Sequence, residues 1–260
     1  MTASPSHTAH AHSFNTAAAQ YAANRPSYPP ALLDTVERAA ARPLKGARVA
    51  DVGAGTGIST ALLRARGAEV IAVEPGEGMA AQFRQGLPDI PIVRGDGDSL
   101  PLATGSVDLV TYAQSWHWTA PARSLPEAMR VLRPTGALAL WWNMSSPDVP
   151  WQAEQSLRIE EFIGGDVSER RASGRRARTE VVFADAPYVP PCTRYEVRWS
   201  RTVPLDTHLA NIGSHSVFLV LGEEATAAFF AEEREHLLRV FPDGLVEERY
   251  EVVLLVVPRS

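Results

Sequence analysis

Lysine is almost missing from this 260-residue chain: Lys45 is the single one, the other basic side chains being arginines. It precedes the glycine-rich turn at 53–57, so a phosphate-binding loop closing on Gly-Lys-Ser/Thr cannot be built and a nucleotide-triphosphate enzyme of that type is excluded. The same absence removes any Tyr-x-x-x-Lys dehydrogenase pair downstream, while leaving dehydrogenases that use other catalytic residues. Cysteine is equally scarce. Cys192 alone gives neither an intrachain disulfide nor a thiolate pair for zinc, which suits a reducing, cytoplasmic setting. No apolar run approaches the length of a membrane span, and the first dozen residues lack the basic start and apolar core of a secretory signal. Positive charge is short too: a net charge of −5 and a pI near 5.8 argue against nucleic acid or an anionic membrane as partner. Two local features stand apart. Residues 1–13, with His7, His10 and His12, read as a disordered leader rather than a metal site. Arg170, Arg171, Arg175, Arg176 and Arg178 read as a solvated loop, with anion binding or substrate gating as the other reading.

What is present is a 45% hydrophobic chain, long enough for one elaborated α/β domain. Its most informative stretch is Val49-Ala50-Asp51-Val52-Gly53-Ala54-Gly55-Thr56-Gly57, an apolar strand running into a glycine turn, followed by Glu74 at the end of the next apolar run. Glycine lets a backbone turn sharply and lie directly against a ligand. A carboxylate about twenty residues on can accept both hydroxyls of a ribose, so the layout is that of an adenosine-type cofactor site. The Gly53-x-Gly55-x-Gly57 spacing lacks the Gly-x-Gly-x-x-Gly phase that presents a helix N-terminus to a pyrophosphate. Asp51, two residues before the first glycine, suits a ligand carrying an amino group and a sulfonium better than a dianion. Around this turn, strands are predicted near 48–52, 69–73, 90–93, 106–112 and 136–142, with helices near 57–66, 76–86 and 121–132 between most of them. That alternation implies a parallel sheet covered on both faces, with ligands at the carboxyl ends of its strands.

The chain resembles a class I S-adenosylmethionine-dependent methyltransferase of the small-molecule, ubiquinone-biosynthesis type. The resemblance rests on the glycine segment, Val73-Glu-Pro-Gly76, Gly95-Asp-Gly-Asp-Ser-Leu-Pro101, Ser106-Val-Asp-Leu-Val110 and Arg130-Val-Leu-Arg-Pro-Thr-Gly136, in the family's order and at its spacing. It implies a Rossmann-like, doubly wound, seven-stranded sheet, mostly parallel with an antiparallel last strand, and helices on both faces. It further implies one domain over 14–260: lid helices in 14–44, the cofactor core in 45–143, and acceptor-pocket segments with the final strands in 144–260. The lid is read as helical over 14–21 and 31–41. In the last part, helices are predicted at 150–164, 205–213 and 223–241, and strands at 194–203 and 249–257, with a polar connection over 166–190.

The resemblance makes S-adenosyl-L-methionine the expected cofactor. Asp51 would hold its amino group directly or through water, against a turn-capping role; Gly53, Ala54, Gly55 and Gly57 would lie along it. Glu74 would take the ribose, with Pro75 beside it and Met79 along the adenine face. Asp96 would accept from the adenine amino group and the backbone at Gly97 would donate to the ring, while Asp98 reads as solvated or capping. Gln114 and Ser115 are candidates for holding the cofactor. Tyr21 and Arg25 are lid contacts. Trp116 and Trp118 either wall off the sulfonium from water or cap the core; Tyr28 lines the entrance. His117 is either a general base or a hydrogen-bonded structural histidine, and His215 is the second candidate base in the acceptor wall. The acceptor is expected to be a small organic molecule with an N, O or C nucleophile, without a metal, in a monomer or homodimer. A catalytically silent cofactor binder of the same fold and an NAD(P)-dependent oxidoreductase are the other readings.

Overall fold

The computed structural model describes residues 18–146, 148–164 and 179–259. The leader histidines and the arginine cluster at 170–178 lie outside the described residues. Contacts divide the rest into two compact units. One takes the described residues up to Pro26, Met144 to 164, and Arg198–Glu251; the other takes Ser27–Asn143, 179 to Val197, and Val252 to Arg259.

The second unit holds the glycine turn. Its strands are β1 (Arg48–Val52), β2 (Glu69–Glu74), β3 (Ile92–Arg94), β4 (Val107–Ala113) and β5 (Leu132–Ser145), joined at one edge by β7 (Leu245–Pro258) and β6 (Thr193–Pro204). The sheet order is β3-β2-β1-β4-β5-β7-β6. β1 pairs in parallel with β2 and β4, β2 with β3, and β4 with β5. Arg259 N–H donates to Gly136 O at 2.8 Å while Ser146 N–H donates to Arg249 O at 3.0 Å, so β7 runs against β5, as an antiparallel last strand requires. The central strands are buried on both faces, which is why they read as continuous Val, Ala, Leu and Ile runs rather than alternating ones.

Helices α2 (Pro30–Ala39), α3 (Ile58–Ala65), α4 (Glu77–Gly86) and α5 (Pro121–Val131) cover this sheet, after a first helix α1 (Ala18–Asn24) that belongs to the other unit. Pro30 and Pro121 sit at the first helical positions, where a missing N–H leaves no bond unmade. Each helix turns a buried stripe inward: Leu32, Leu33 and Val36 from α2, Leu63 from α3, Phe83 from α4, Leu125 and Ala128 from α5. Full burial of such a leucine or phenylalanine contributes roughly 1.5–3 kcal/mol. A short helix α7 (Thr179–Val182) and Phe183 also belong to this unit.

The first unit is helical apart from residues 144–145 of β5, 198–204 of β6 and 245–251 of β7. It contains α1, α6 (Pro150–Phe162), α8 (Leu205–Gly213), α9 (Ser216–Leu221) and α10 (Glu223–Val240). Leu205, Leu209, Leu237 and Val246 form one apolar cluster and Ile212, Phe218 and Phe229 another. Among the described residues no helix is long and apolar enough to cross a membrane.

Candidate functional site

The glycine turn leaves the carboxyl end of β1 directly. Gly53 N–H donates to Val73 O at 2.8 Å, tying the turn to β2, and Gly53 adopts φ +66°. A Cβ there would stand 2.4 Å from Ser115 Cβ, so the serine after β4 packs onto the glycine itself. Ser115 is held in that place by donating to Val52 O at 2.6 Å. Gly55 is different: at φ +58° it faces open space, with no atom within 4 Å of where a Cβ would be. Gly57 opens α3 and abuts Leu87 and Phe83. These two environments give a testable contrast. Gly53→Ala adds a collision to an unfavourable backbone angle and is expected to destabilise by about 3 kcal/mol, whereas Gly55→Ala meets only the angle, about 1 kcal/mol. Thermal melts of the two variants check this; equal losses would contradict it.

Glu74 ends β2 and is only 6% exposed. Its Oε2 accepts from Gly55 N–H at 2.8 Å and its Oε1 from Gly76 N–H at 2.7 Å. One amide on each oxygen fixes the carboxylate against the turn and leaves further lone pairs on both atoms. Burial pushes its pKa up, opposed by the Gly76 and Gly55 amides and by Arg94, while the nearby Asp51 charge adds to the rise. Pro75, beside it, turns its carbonyl toward the Arg94 guanidinium, which donates to it. Met79 lies on α4, buried at 6% exposure.

Asp51 lies deeper than expected. It is fully buried; Oδ2 accepts from Thr60 Oγ1 at 2.6 Å and Oδ1 from Thr111 Oγ1 at 2.8 Å. Thr111 is its register partner across the β1–β4 ladder, and Thr60 comes from α3. Burial raises its pKa from an ordinary 3.8 to about 6, against the lowering effect of these hydroxyls. A direct hold on a ligand's amino group therefore has no exposed oxygen to use, and the charge of Asp51 is felt at Glu74, whose pKa it raises. The turn-capping alternative also gives way, since its partners are side chains of β4 and α3.

After β3, Asp96 is exposed and its Oδ1 accepts from the amides of Asp98 and Ser99, each at 2.9 Å, closing a tight turn. Gly97 is buried; its carbonyl accepts from Tyr112 OH at 3.2 Å, and Tyr112 and Thr119 leave no room for a Cβ. Asp98 is a capping residue, accepting from Ala120 N–H at 2.8 Å and Arg123 at 2.7 Å where α5 begins.

Gln114 follows β4 with φ +59°, an uncommon angle for a residue with a side chain. Its backbone N–H donates to Trp141 O at 2.9 Å and its Nε2 to Asn143 O at 3.1 Å, which hold it there. Strain of this kind concentrates at functional turns. The following 3₁₀ turn, Trp116–Trp118, separates its three aromatic residues. Trp116 is 2% exposed, meets Tyr112 edge-on at 4.9 Å and donates from its indole to Val182 O at 2.9 Å. Of the two readings for Trp116, a water-excluding wall or a cap on the core, its burial and contacts agree with the second. Trp118 is 39% exposed and its ring lies 4.8 Å from that of His117. Tyr28 stands edge-on to Trp141 at 6.1 Å.

Tyr21, Arg25 and His215 fall in the first unit. Arg25 lies 4.7 Å over the Tyr21 ring and donates to Ser214 O at 3.3 Å. The threonines on Asp51 were missed from sequence, although the pairing of Asp51 with Thr111 follows once the β1–β4 register is known. Among the described residues no group of three or more His, Cys, Asp or Glu side chains could hold a metal. A groove of 580 Å³ in the second unit opens among Arg48, Glu69, Pro91 and Val107, at the amino ends of the strands, and none of the candidate residues lines it.

The sheet order, the reversed β7 and the turn at the carboxyl end of β1 place the protein in the Rossmann-like α/β class. A family model for a methyltransferase domain matches residues 50–140. An uncharacterized methyltransferase of Mycobacterium tuberculosis is 40% identical over 188 residues, covering 72% of this chain and 70% of its own length. Demethylmenaquinone methyltransferase of Beutenbergia cavernae is 36% identical over 130 residues, covering 50% of this chain and 53% of its own. A solved structure described as a type II methyltransferase, from Anaeromyxobacter dehalogenans, shares the fold with a TM-score of 0.66 at 24% identity, over 90% of this chain and 97% of that one. The chain belongs to the class I S-adenosylmethionine-dependent methyltransferase family.

Proposed function

We propose that the chain binds S-adenosyl-L-methionine at the turn between β1 and α3 and transfers a methyl group to a small organic acceptor. The observation that carries this reading is Glu74: a buried carboxylate pinned by Gly55 and Gly76, with lone pairs left over beside an open glycine. That donor and acceptor set fits a ribose, whose two hydroxyls need acceptors at a fixed spacing. Open space above Gly55 leaves the backbone free to lie against the ligand.

When bound, the cofactor supplies an already activated methyl group, so the chain's task is placement and exclusion of water. Glu74 accepts the ribose hydroxyls, and Gly55 allows close backbone approach. Asp51 contributes negative charge beneath the turn, favouring a cationic ligand over an anionic one. Ser115 fixes the end of β4 against β1, and Gln114 fixes it against β5. His117 is the proposed proton acceptor where the acceptor's nucleophile is a hydroxyl or an enolisable carbon; an amine needs none. A relative that carries a small-molecule acceptor in its name, the demethylmenaquinone methyltransferase, supports a small organic acceptor.

Glu74→Ala is expected to weaken S-adenosyl-L-methionine binding about 5- to 150-fold, since about 1–3 kcal/mol is lost when both the ribose and the Gly55 amide lose their acceptor. Calorimetric titration reads this directly. An unchanged affinity would contradict the proposed site, and tighter binding of NAD by the parent protein would move it to another enzyme class.

A further inference from the structure

The two edges of the sheet are built differently. β3 closes one of them with three residues, Ile92–Arg94, too short to template a further strand. β6 closes the other with twelve, Thr193–Pro204, and among the described residues no strand pairs with its outer side. Most devices that blunt a long edge are missing from it: no lysine, no glycine, and no proline before Pro204 at its end. None of its side chains is buried. From Arg194 on they alternate between an exposed face, with Arg194, Glu196 and Arg198, and a half-buried face, with Tyr195, Val197 and Trp199. β-branched and aromatic residues on one side and charges on the other suit a paired strand.

A second copy of the chain can join this edge antiparallel, about a two-fold axis normal to the sheet. Such an axis keeps each face on its own side, so facing residues belong to the same alternation and the axis passes through a single residue. The charges select which one, since opposite charges facing across strands stabilise and like charges do not. With Glu196 on the axis, the glutamate meets its own copy and Arg194 meets Arg198. With Arg198 on the axis, two arginines meet. With Trp199 on it, no opposite charges face each other, and with Tyr195 on it, Arg194 faces Glu196 but only residues 193–197 of the strand overlap. With Val197 on the axis, residues 193–201 all pair, Glu196 faces Arg198 twice, and Tyr195 faces Trp199 twice.

We propose that two copies of the chain pair through β6 in this last register, so that one sheet runs through the dimer. The side chains are placed for it. Glu196 accepts from Arg194 on its own strand and stays exposed, open to a second cation. Arg198 reaches Asp148 at 3.3 Å and Glu251 at 3.4 Å, yet 67% of its side chain remains in solvent, where its forked donors can take another carboxylate. Trp199 stacks on Tyr250 of β7 at 5.0 Å, and Tyr195 of the second copy lengthens that aromatic row. The proposal rests on this strand and its register, and not on the cofactor reading.

The test is sedimentation velocity of the full chain over roughly 1–200 μM at low salt, where exposed charge pairs are least screened. The expected result is passage from a 28.2 kDa species to one of twice that mass. Glu196→Arg alone, or Arg198→Glu alone, turns both facing pairs into like charges and should weaken the dimer about tenfold or more. Mixed one to one, these two variants set arginine against glutamate at both positions and should dimerise again, a recovery that a folding defect cannot produce. In a Cys192→Ser background, Val197→Cys should cross-link on mild oxidation, because residues facing across strands stand about 5 Å apart, within disulfide reach. Thr202→Cys should not, its own copy lying about 30 Å away along the strands. The proposal is overturned by a chain that stays monomeric throughout, by single charge reversals that leave the dimer intact, or by a mixture that stays monomeric. It is likewise overturned by a Val197→Cys dimer that does not cross-link, or by cross-linking at Thr202→Cys.

Discussion

Asp51→Asn is expected to melt at a higher temperature than the parent protein above pH 6, and to bind S-adenosyl-L-methionine more weakly. Asp51 is sealed from water, and its two hydroxyl partners only partly offset the loss of solvation, so its pKa stands at about 6 instead of 3.8. A carboxyl raised in this way binds a proton more tightly in the folded chain than in the unfolded one. Its cost to stability is absent below pH 3.8, grows as pH rises toward 6 and is complete above it, at about 3 kcal/mol. Asparagine has the same shape and carries no charge. Thr60 and Thr111 can each donate or accept, so both contacts survive the exchange. Neutralising Asp51 also removes the charge that helps to raise the Glu74 pKa. At 2–4 °C per kcal/mol for a domain of this size, the gain is roughly 6–12 °C at pH 7.5, shrinking to nothing below pH 4. Losing a buried negative charge beneath a cation site costs on the order of 1–2 kcal/mol of binding at an effective dielectric near 20. Melting curves from pH 3.5 to 8 with calorimetric titration at pH 7.5 check both halves; a gain that does not depend on pH would remove the buried-charge explanation. A stabilising change that impairs the site is the pattern expected where a fold keeps a costly group for function.

The parallel half of the fold was legible because its punctuation is chemical. β1 ends where Val52 meets Gly53, β2 ends at Glu74-Pro75, and α2, α5 and α6 each start at a proline. Polar and glycine residues stop these runs sharply, so the strand ends beside the turn could be placed to within a residue. Other boundaries depended on facts no local pattern carries. β5 begins at Leu132 instead of 136 because Thr135, at φ +66°, is absorbed within the strand. The segment Ser216–Leu221, Ser-Val-Phe-Leu-Val-Leu, has the composition of a buried strand, yet it folds as α9 with Phe218 packed between Ile212 and Phe229. Too short for a helical period to show, it takes its conformation from its neighbours.

The site divides in the same way. Glu74 and the glycines could be read because one chain segment supplies both the turn and its neighbour. Trp116 and Trp118 could not be told apart: they are two residues apart in one 3₁₀ turn, and only the position of Tyr112 and Val182 decides which is buried. Asp51 read as a ligand because nothing nearby in sequence announces Thr111, sixty residues on, as its partner across the ladder.

The polar cluster of the first unit was hidden more completely, and it carries the second large effect. Gln155 and Arg158 on α6, His208 on α8, Glu233 on α10 and Glu248 on β7 each look like surface residues of their own element. They meet instead in one buried chain of bonds: Glu248 to His208 Nδ1 at 2.7 Å, His208 Nε2 to the Gln155 amide, Gln155 Nε2 to Glu233 at 3.0 Å, and Arg158 to both oxygens of Glu233 at 2.7 Å each. Arg201 and Tyr250 donate to the second oxygen of Glu248. Burial pushes both carboxyls up, but Arg158 and Gln155 at Glu233, and His208 and Arg201 at Glu248, outweigh it and hold both pKa values below the usual 4.5. A depressed carboxyl stabilises the fold above its unfolded pKa and loses that contribution as pH falls through the folded one, so this unit should weaken from about pH 4.5 downward. Arg158→Leu leaves Glu233 charged, 1% exposed and without its cation. The expected loss is about 3–5 kcal/mol at pH 7, because a broken buried pair leaves its desolvation uncompensated. Acid should shrink that loss, since protonating the stranded carboxyl removes the buried charge. Arg158→Leu with Glu233→Leu should recover most of the stability, because two apolar side chains have no charge to desolvate, although Gln155 then loses one acceptor. Melting curves of the two single variants and the double variant at pH 5 and 7 close the cycle. A double variant no more stable than Arg158→Leu would mean that the bond to Gln155, and through it to His208, holds these helices together, and that the ion pair is secondary to it.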